Sequence, residues 1–177
     1  MLAYLMAIIG VLSRVVPHPY SLTAVGGSLL YFGARRPMRQ FWFPVVLLAA
    51  SDYYLTSFVY SYPFHLSGYV VTWAWYLGAC LLGAAMLRKQ NGPARVVFAS
   101  FASSTSFFLL TNFVWSGSPL YPRGAAGLMM SYTAGLPFYA RDFAATTLVA
   151  GAAFALPALV KMAGEWHHKS NTGATAA

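Results

Sequence analysis

A single cysteine, Cys80, sits within nineteen uncharged residues, Tyr69 to Leu87 (YVVTWAWYLGACLLGAAML). Thiolate is a soft ligand for a late first-row metal, and coordination itself deprotonates the sulfur. Helical spacing places Trp73, Tyr76, Leu77, Cys80 and Ala84 on one face, so the sulfur lies below two flat aromatic surfaces. The blander role is a small hydrophobe made inert by burial. One cysteine excludes an intramolecular disulfide and any Cys₂ or Cys₄ zinc site.

Asp52, in SDYYL, is the one acidic side chain placed well inside an apolar run. A carboxylate there costs a few kcal/mol, so it must face the bundle interior, a cavity or a partner. Its depth differs from that of Cys80 by about four residues, or roughly 6 Å along a helix, so both can line one cavity. The alternative is a structural pin, hydrogen-bonded to Ser51, a tyrosine or neighbouring backbone. Asn112 and Trp115, in TNFVW, offer an amide and an indole to a polar ligand, although tryptophan at that level is also the ordinary aromatic belt. Tyr132 is a further ligand-binding candidate. His18 and His65 fall in loops, where histidines are usually solvated. Arg123, Arg141 and Asp142 are placed to form ion pairs or to meet a ligand's phosphate.

These side chains need a membrane to hold them. The 177 residues are 59% hydrophobic and 8% charged, against about 25% charge in a soluble domain, and mean hydropathy is +0.59. The net charge of +8 is gathered in short clusters between apolar runs, a pattern of membrane topology and not of a nucleic-acid face. No Walker A, H-E-x-x-H or G-x-S-x-G pattern is present, so no nucleotide is expected as a cofactor. The N-terminus has neither a positive n-region nor an A-x-A site, so no cleaved signal peptide is expected.

Four runs are long enough to span: 41–59, 69–87, 96–115 and 143–162. Two shorter ones, Leu2 to Val16 and Leu22 to Ala34, are also assigned as spans, with a tilted or re-entrant path open to each. The expected fold is an all-α integral membrane protein with six transmembrane helices, a single domain over residues 1–163 and a polar, disordered tail over 164–177. Six spans put eight positive charges on one side (Arg35, Arg36, Arg39, Arg88, Lys89, Arg95, Lys161, Lys169) and three on the other (Arg14, Arg123, Arg141). The positive-inside rule then makes both termini cytoplasmic. On the outer side, Ser116 to Ala140 is bounded by prolines, and a helix from Gly124 to Leu136 closed by Pro137 suits either a lid or an interfacial helix. Ala3, Ala7 and Gly10 form a small-residue stripe that favours close packing, internally or with a partner.

The segments RVVPHPYSLTAVGG, SDYYL, TNFVWSGSPLYP and GLMMSYTAGLPFYARDF, with the lone cysteine in the fourth span, resemble the BtuM family of solitary vitamin B12 transporters of Gram-negative bacteria. That family is related to the S-components of ECF-type vitamin transporters, and the resemblance covers roughly residues 14–145. It implies an S-component-like six-helix bundle in the bacterial inner membrane, with cobalamin held toward the outer side. It also implies Cys80 as an axial ligand of cobalt that assists removal of cyanide. Trp73, Tyr76, Asp52 and Asn112 are of the kinds a corrin pocket needs. S-components sharing an ECF module dock through small first-helix residues, which Ala3 and Ala7 would supply; BtuM-like proteins are solitary. The alternatives are an S-component-like binder of another vitamin or small metabolite, in which Cys80 is filler, and a structural membrane subunit.

Overall fold

The structure is a computed structural model and describes residues 1–16 and 23–174, with side chains through residue 163. His18 lies outside the described residues. Six α-helices and no strand occur among the described residues: α1 (Leu2–Val15), α2 (Val25–Arg35), α3 (Trp42–Tyr54), α4 (Leu66–Leu87), α5 (Pro93–Trp115) and α6 (Ala125–Ala174). A 3₁₀ turn, Met38–Gln40, precedes α3, and a π-helical turn, Leu55–Val59, extends it.

Four helical stretches are long and apolar enough to cross a membrane: Met38–Val59, Leu66–Leu87, Pro93–Trp115 and Ala125–Ala163. α1, with 14 residues, is apolar but shorter. α2 differs in kind. Its 11 residues reach only about 16 Å, roughly half a bilayer core. Every residue from Val25 to Ala34 is buried, so α2 is a central post around which α1, α4, α5 and α6 pack.

Three of the eleven residues of α2 are glycine, each costing about 1 kcal/mol of helix propensity relative to alanine. Contact with neighbours offsets that cost. A Cβ on Gly33 would lie 1.9 Å from the carbonyl oxygen of Cys80, and one on Gly83 would lie 2.2 Å from that of Leu30. The α2 and α4 backbones therefore touch at two reciprocal points, an approach no larger residue permits. α2 ends where Arg36 turns extended (φ −122°, ψ 152°) ahead of Pro37, as the residue before proline prefers.

The small-residue stripe of α1 is used internally. Ala3, Ala7 and Gly10 are buried, and a Cβ on Gly10 would meet Ser28 of α2 at 3.4 Å. Leu5, Ile8 and Leu12 form the exposed face instead.

The basic clusters gather at one end of the bundle. Arg36 donates to Tyr4 Oη (2.7 Å) and Gln40 Oε1 (2.8 Å), and Arg88 donates to the carbonyls of Gly33 (3.0 Å) and Arg36 (2.7 Å). Arg35 lies over the rings of Tyr31 and Phe154. The start of α1, the ends of α2 and α4, and Phe154 of α6 thus share one end.

The separate outer helix expected before Pro137 does not exist as such. α6 runs unbroken from Ala125 through Pro137 and Pro157. Each proline removes a backbone donor, but α5 holds the helix on both sides of Pro137. Tyr132 Oη donates to the Leu109 carbonyl (2.8 Å), Ser131 Oγ to that of Asn112 (2.8 Å), and Tyr139 meets Thr105 Oγ1 (3.0 Å). Pro137→Ala is therefore expected to raise thermal stability, by up to about 3 kcal/mol, without altering helix content; a melting curve with far-ultraviolet circular dichroism checks both. The backbone is helical through residue 174.

Candidate functional site

At the end of the bundle opposite the arginine clusters, a cavity of about 690 Å³ opens between the helices. Arg14 of α1, Thr23, Val25 and Gly26 at the head of α2, and Asp52 of α3 form one side. Tyr69, Thr72, Trp75 and Tyr76 come from α4, while Ser104, Phe107, Phe108, Thr111, Asn112 and Trp115 come from α5. Ala134, Gly135, Phe138, Tyr139, Arg141 and Asp142 of α6 close the far wall, with Leu120 and Tyr121 from the preceding connection. The volume suits a small organic ligand, and the mixture of flat rings with a few converging polar groups is that of a ligand pocket.

Asp52 is 2% exposed, and its carboxylate is fully engaged. Arg14 Nη2 donates to Oδ1, Trp73 Nε1 to Oδ2 at 2.9 Å, and Tyr76 Oη to Oδ2 at 3.2 Å. The other terminal nitrogen of Arg14 donates to Ser51 Oγ (2.9 Å) and Tyr76 Oη (3.2 Å). Ser51 Oγ in turn donates to the Leu48 carbonyl at 2.7 Å. Five side chains from three helices thus form one closed network, which is how a charge is held inside a bilayer. This matches the pin reading of Asp52, with an arginine as principal partner. Directly beyond it, α3 loosens into its π turn, where Thr56 meets Tyr69 of α4.

Of the residues singled out in the sequence, Asp52, Tyr76, Asn112 and Trp115 line the cavity. The Asn112 amide is partly used, donating to the Phe108 carbonyl at 2.8 Å while its side chain rests on Gly135. Trp115 is 56% exposed. Trp73 stands behind Asp52 and stacks toward Phe64. The indole that faces the cavity is Trp75, packed on Phe107 with ring centres 4.5 Å apart. Tyr132 is off the cavity because its hydroxyl is used between α5 and α6. His65 is exposed at the start of α4 and also lies off the cavity.

Cys80 does not share the cavity with Asp52. The residue is 0% exposed and absent from the lining, lying one helical turn beyond Tyr76 toward the arginine end. Its backbone is locked against Gly33, and its side chain belongs to the core between α2 and α4. Similar depth was the basis for pairing the two residues, and depth does not specify which neighbour a helix face meets. Nor do three or more His, Cys, Asp or Glu side chains converge on a metal-sized site among the described residues.

The Ser116 to Ala140 connection contributes wall and not flap, since its helical part is the pinned first third of α6. Arg123, Arg141 and Asp142 form no ion pair with one another; the salt bridge at the site is Arg14 with Asp52. In the sequence Arg14 counts only as a topology charge. Its signal was its position, a guanidinium at the end of an otherwise apolar run, which needs a partner as Asp52 does.

A family model described as a family of unknown function, DUF6580, matches residues 1–168. No curated protein and no solved structure matches the chain.

Proposed function

We propose, for a chain that belongs to the DUF6580 family, that it binds a vitamin-sized ligand within a membrane and passes it inward, as S-components of ECF-type transporters do. In this reading six helices lie in a bacterial inner membrane, the arginine end and both termini face the cytoplasm, and the cavity opens outward. The observation that carries it is the cavity itself: about 690 Å³, aromatic and polar, at the end opposite the basic clusters. A purely structural subunit has no use for such a space.

The resemblance names cobalamin, with cobalt on Cys80. The arrangement favours the other member of that pair of readings, a smaller ligand with Cys80 as filler. For its sulfur to reach cobalt, the packed core that encloses it would have to open. Removal of cyanide through Cys80 needs the same opening, and docking of an energising partner through Ala3 and Ala7 would need α1 to leave α2.

Purified protein in detergent decides between the two. Ligand binding should quench the fluorescence of Trp75 or Trp115, both at the cavity, and Cys80→Ser should bind as wild type does. Cyanocobalamin should give the same visible spectrum with either protein. A spectral shift that requires Cys80 would reverse the choice and restore cobalt coordination.

A further inference from the structure

The cavity contains a second carboxylate, and unlike Asp52 it is not neutralised. Oδ2 of Asp142 on α6 is buried without a hydrogen-bond partner. Ser104 of α5, 1% exposed, approaches the same carboxyl without forming a well-aligned hydrogen bond. One helical turn along α6, Thr146 is 0% exposed and its Oγ1 is also unpartnered. That hydroxyl lies where a Cβ on Gly26 would come within 2.3 Å of it, and Gly26 itself borders the cavity. Such groups are costly to leave unsatisfied, most of all a carboxylate oxygen.

We infer that the ligand carries a protonated or quaternary nitrogen on or beside a flat ring, and that Asp142 is its counter-charge. This rests on the ligand-binding reading above and narrows its chemistry. Arg14 cannot serve Asp142, because its guanidinium is committed to Asp52, Ser51 and Tyr76. Arg141 borders the cavity but is exposed, so water screens it. An incoming cation would meet the Asp142 carboxylate where that residue borders the cavity, beside Ser104. Its ring would lie among Trp75, Phe107 and Tyr139, whose faces also attract positive charge.

Equilibrium dialysis of the full-length protein in detergent tests this with four probes: thiamine and benzamidine as cations, riboflavin as a neutral ring, and biotin as an anion. At least one cation should bind more tightly than riboflavin or biotin. Asp142→Asn should weaken that binding at least tenfold while keeping the gel-filtration profile and the melting temperature, and Ser104→Ala should weaken it less, about threefold. Should Asp142→Asn misfold, the Ser104→Ala result carries the test. Binding of only riboflavin or biotin, or a cation that binds both variants as it binds wild type, would overturn the cation assignment and leave ligand binding intact. No binding by any probe, with the protein folded, would overturn both.

Discussion

Arg14→Ala is expected to destabilise the protein by about 3–5 kcal/mol, the usual consequence of stranding a buried charge, enough to lose much of the folded population in detergent. The cause is what remains: Asp52, 2% exposed, would keep only Trp73 and Tyr76 as donors. Ser51 and Tyr76 would lose the guanidinium that links them. Asp52→Ala should be similarly harmful, since it leaves a cation at 19% side-chain exposure with only the neutral hydroxyls of Ser51 and Tyr76 as partners. The double variant Arg14→Ala/Asp52→Ala should be more stable than the sum of the singles implies, because no charge is stranded. A thermal-denaturation cycle over the four proteins measures this. Additive losses would mean that the two residues do not act as a pair.

The second large effect is expected at Gly33. A methyl group there would sit 1.9 Å from the Cys80 carbonyl oxygen and 2.6 Å from its carbon, both backbone atoms that cannot turn aside. Gly33→Ala must therefore push α2 away from α4, at a cost of about 3 kcal/mol or more, and Gly33→Leu should abolish monodisperse protein. Cys80→Ala should be far milder. It leaves the carbonyl in place and removes only the sulfur from the core. If instead Gly33→Ala were tolerated and Cys80→Ala were not, position 80 would matter for its side chain. The thiol would then regain the role that the seam denies it.

The Gly33 prediction turns on α2, the element whose sequence is hardest to interpret. VGGSLLYFGAR is apolar enough to be taken for a short span, and its glycines argue against a stable isolated helix. Neither property says that it is enclosed on all sides. Enclosure is decided by α1 together with α4, α5 and α6, and the last three are far from it in the chain. The placement of Cys80 away from the cavity has the same origin. Spacing along α4 correctly aligns Tyr76 with Cys80, and both are buried, but one looks onto the cavity and the other onto α2. Within α4, Leu77 was grouped with them and is 42% exposed. Trp73 and Trp75 likewise differ by two residues: the first braces Asp52, and the second faces the cavity beside Phe107.

Pro137 misled in a different way. A proline after a glycine-bounded stretch is a sound local signal for a helix end, but the hydrogen bonds from Ser131 and Tyr132 and the Tyr139–Thr105 contact outweigh it. The stretch that suits a lid or an interfacial helix is consequently the upper part of α6, bonded to α5.

Membrane-scale features were legible in the residues alone. Apolar length fixes which stretches can cross, and four of the expected runs do reappear as helices long enough to do so. An ionised group inside such a run must find company, so Asp52 could be marked without knowing where it points. Partner identity was beyond reach, because Arg14 and Asp52 are 38 residues apart and Asp142 meets Ser104 only when α5 lies on α6. Hydrophobicity is a property of each residue and can be read in order along the chain. Neighbourhood is a property of packed pairs, and only the folded bundle decides which carboxylate is answered by a cation and which is not.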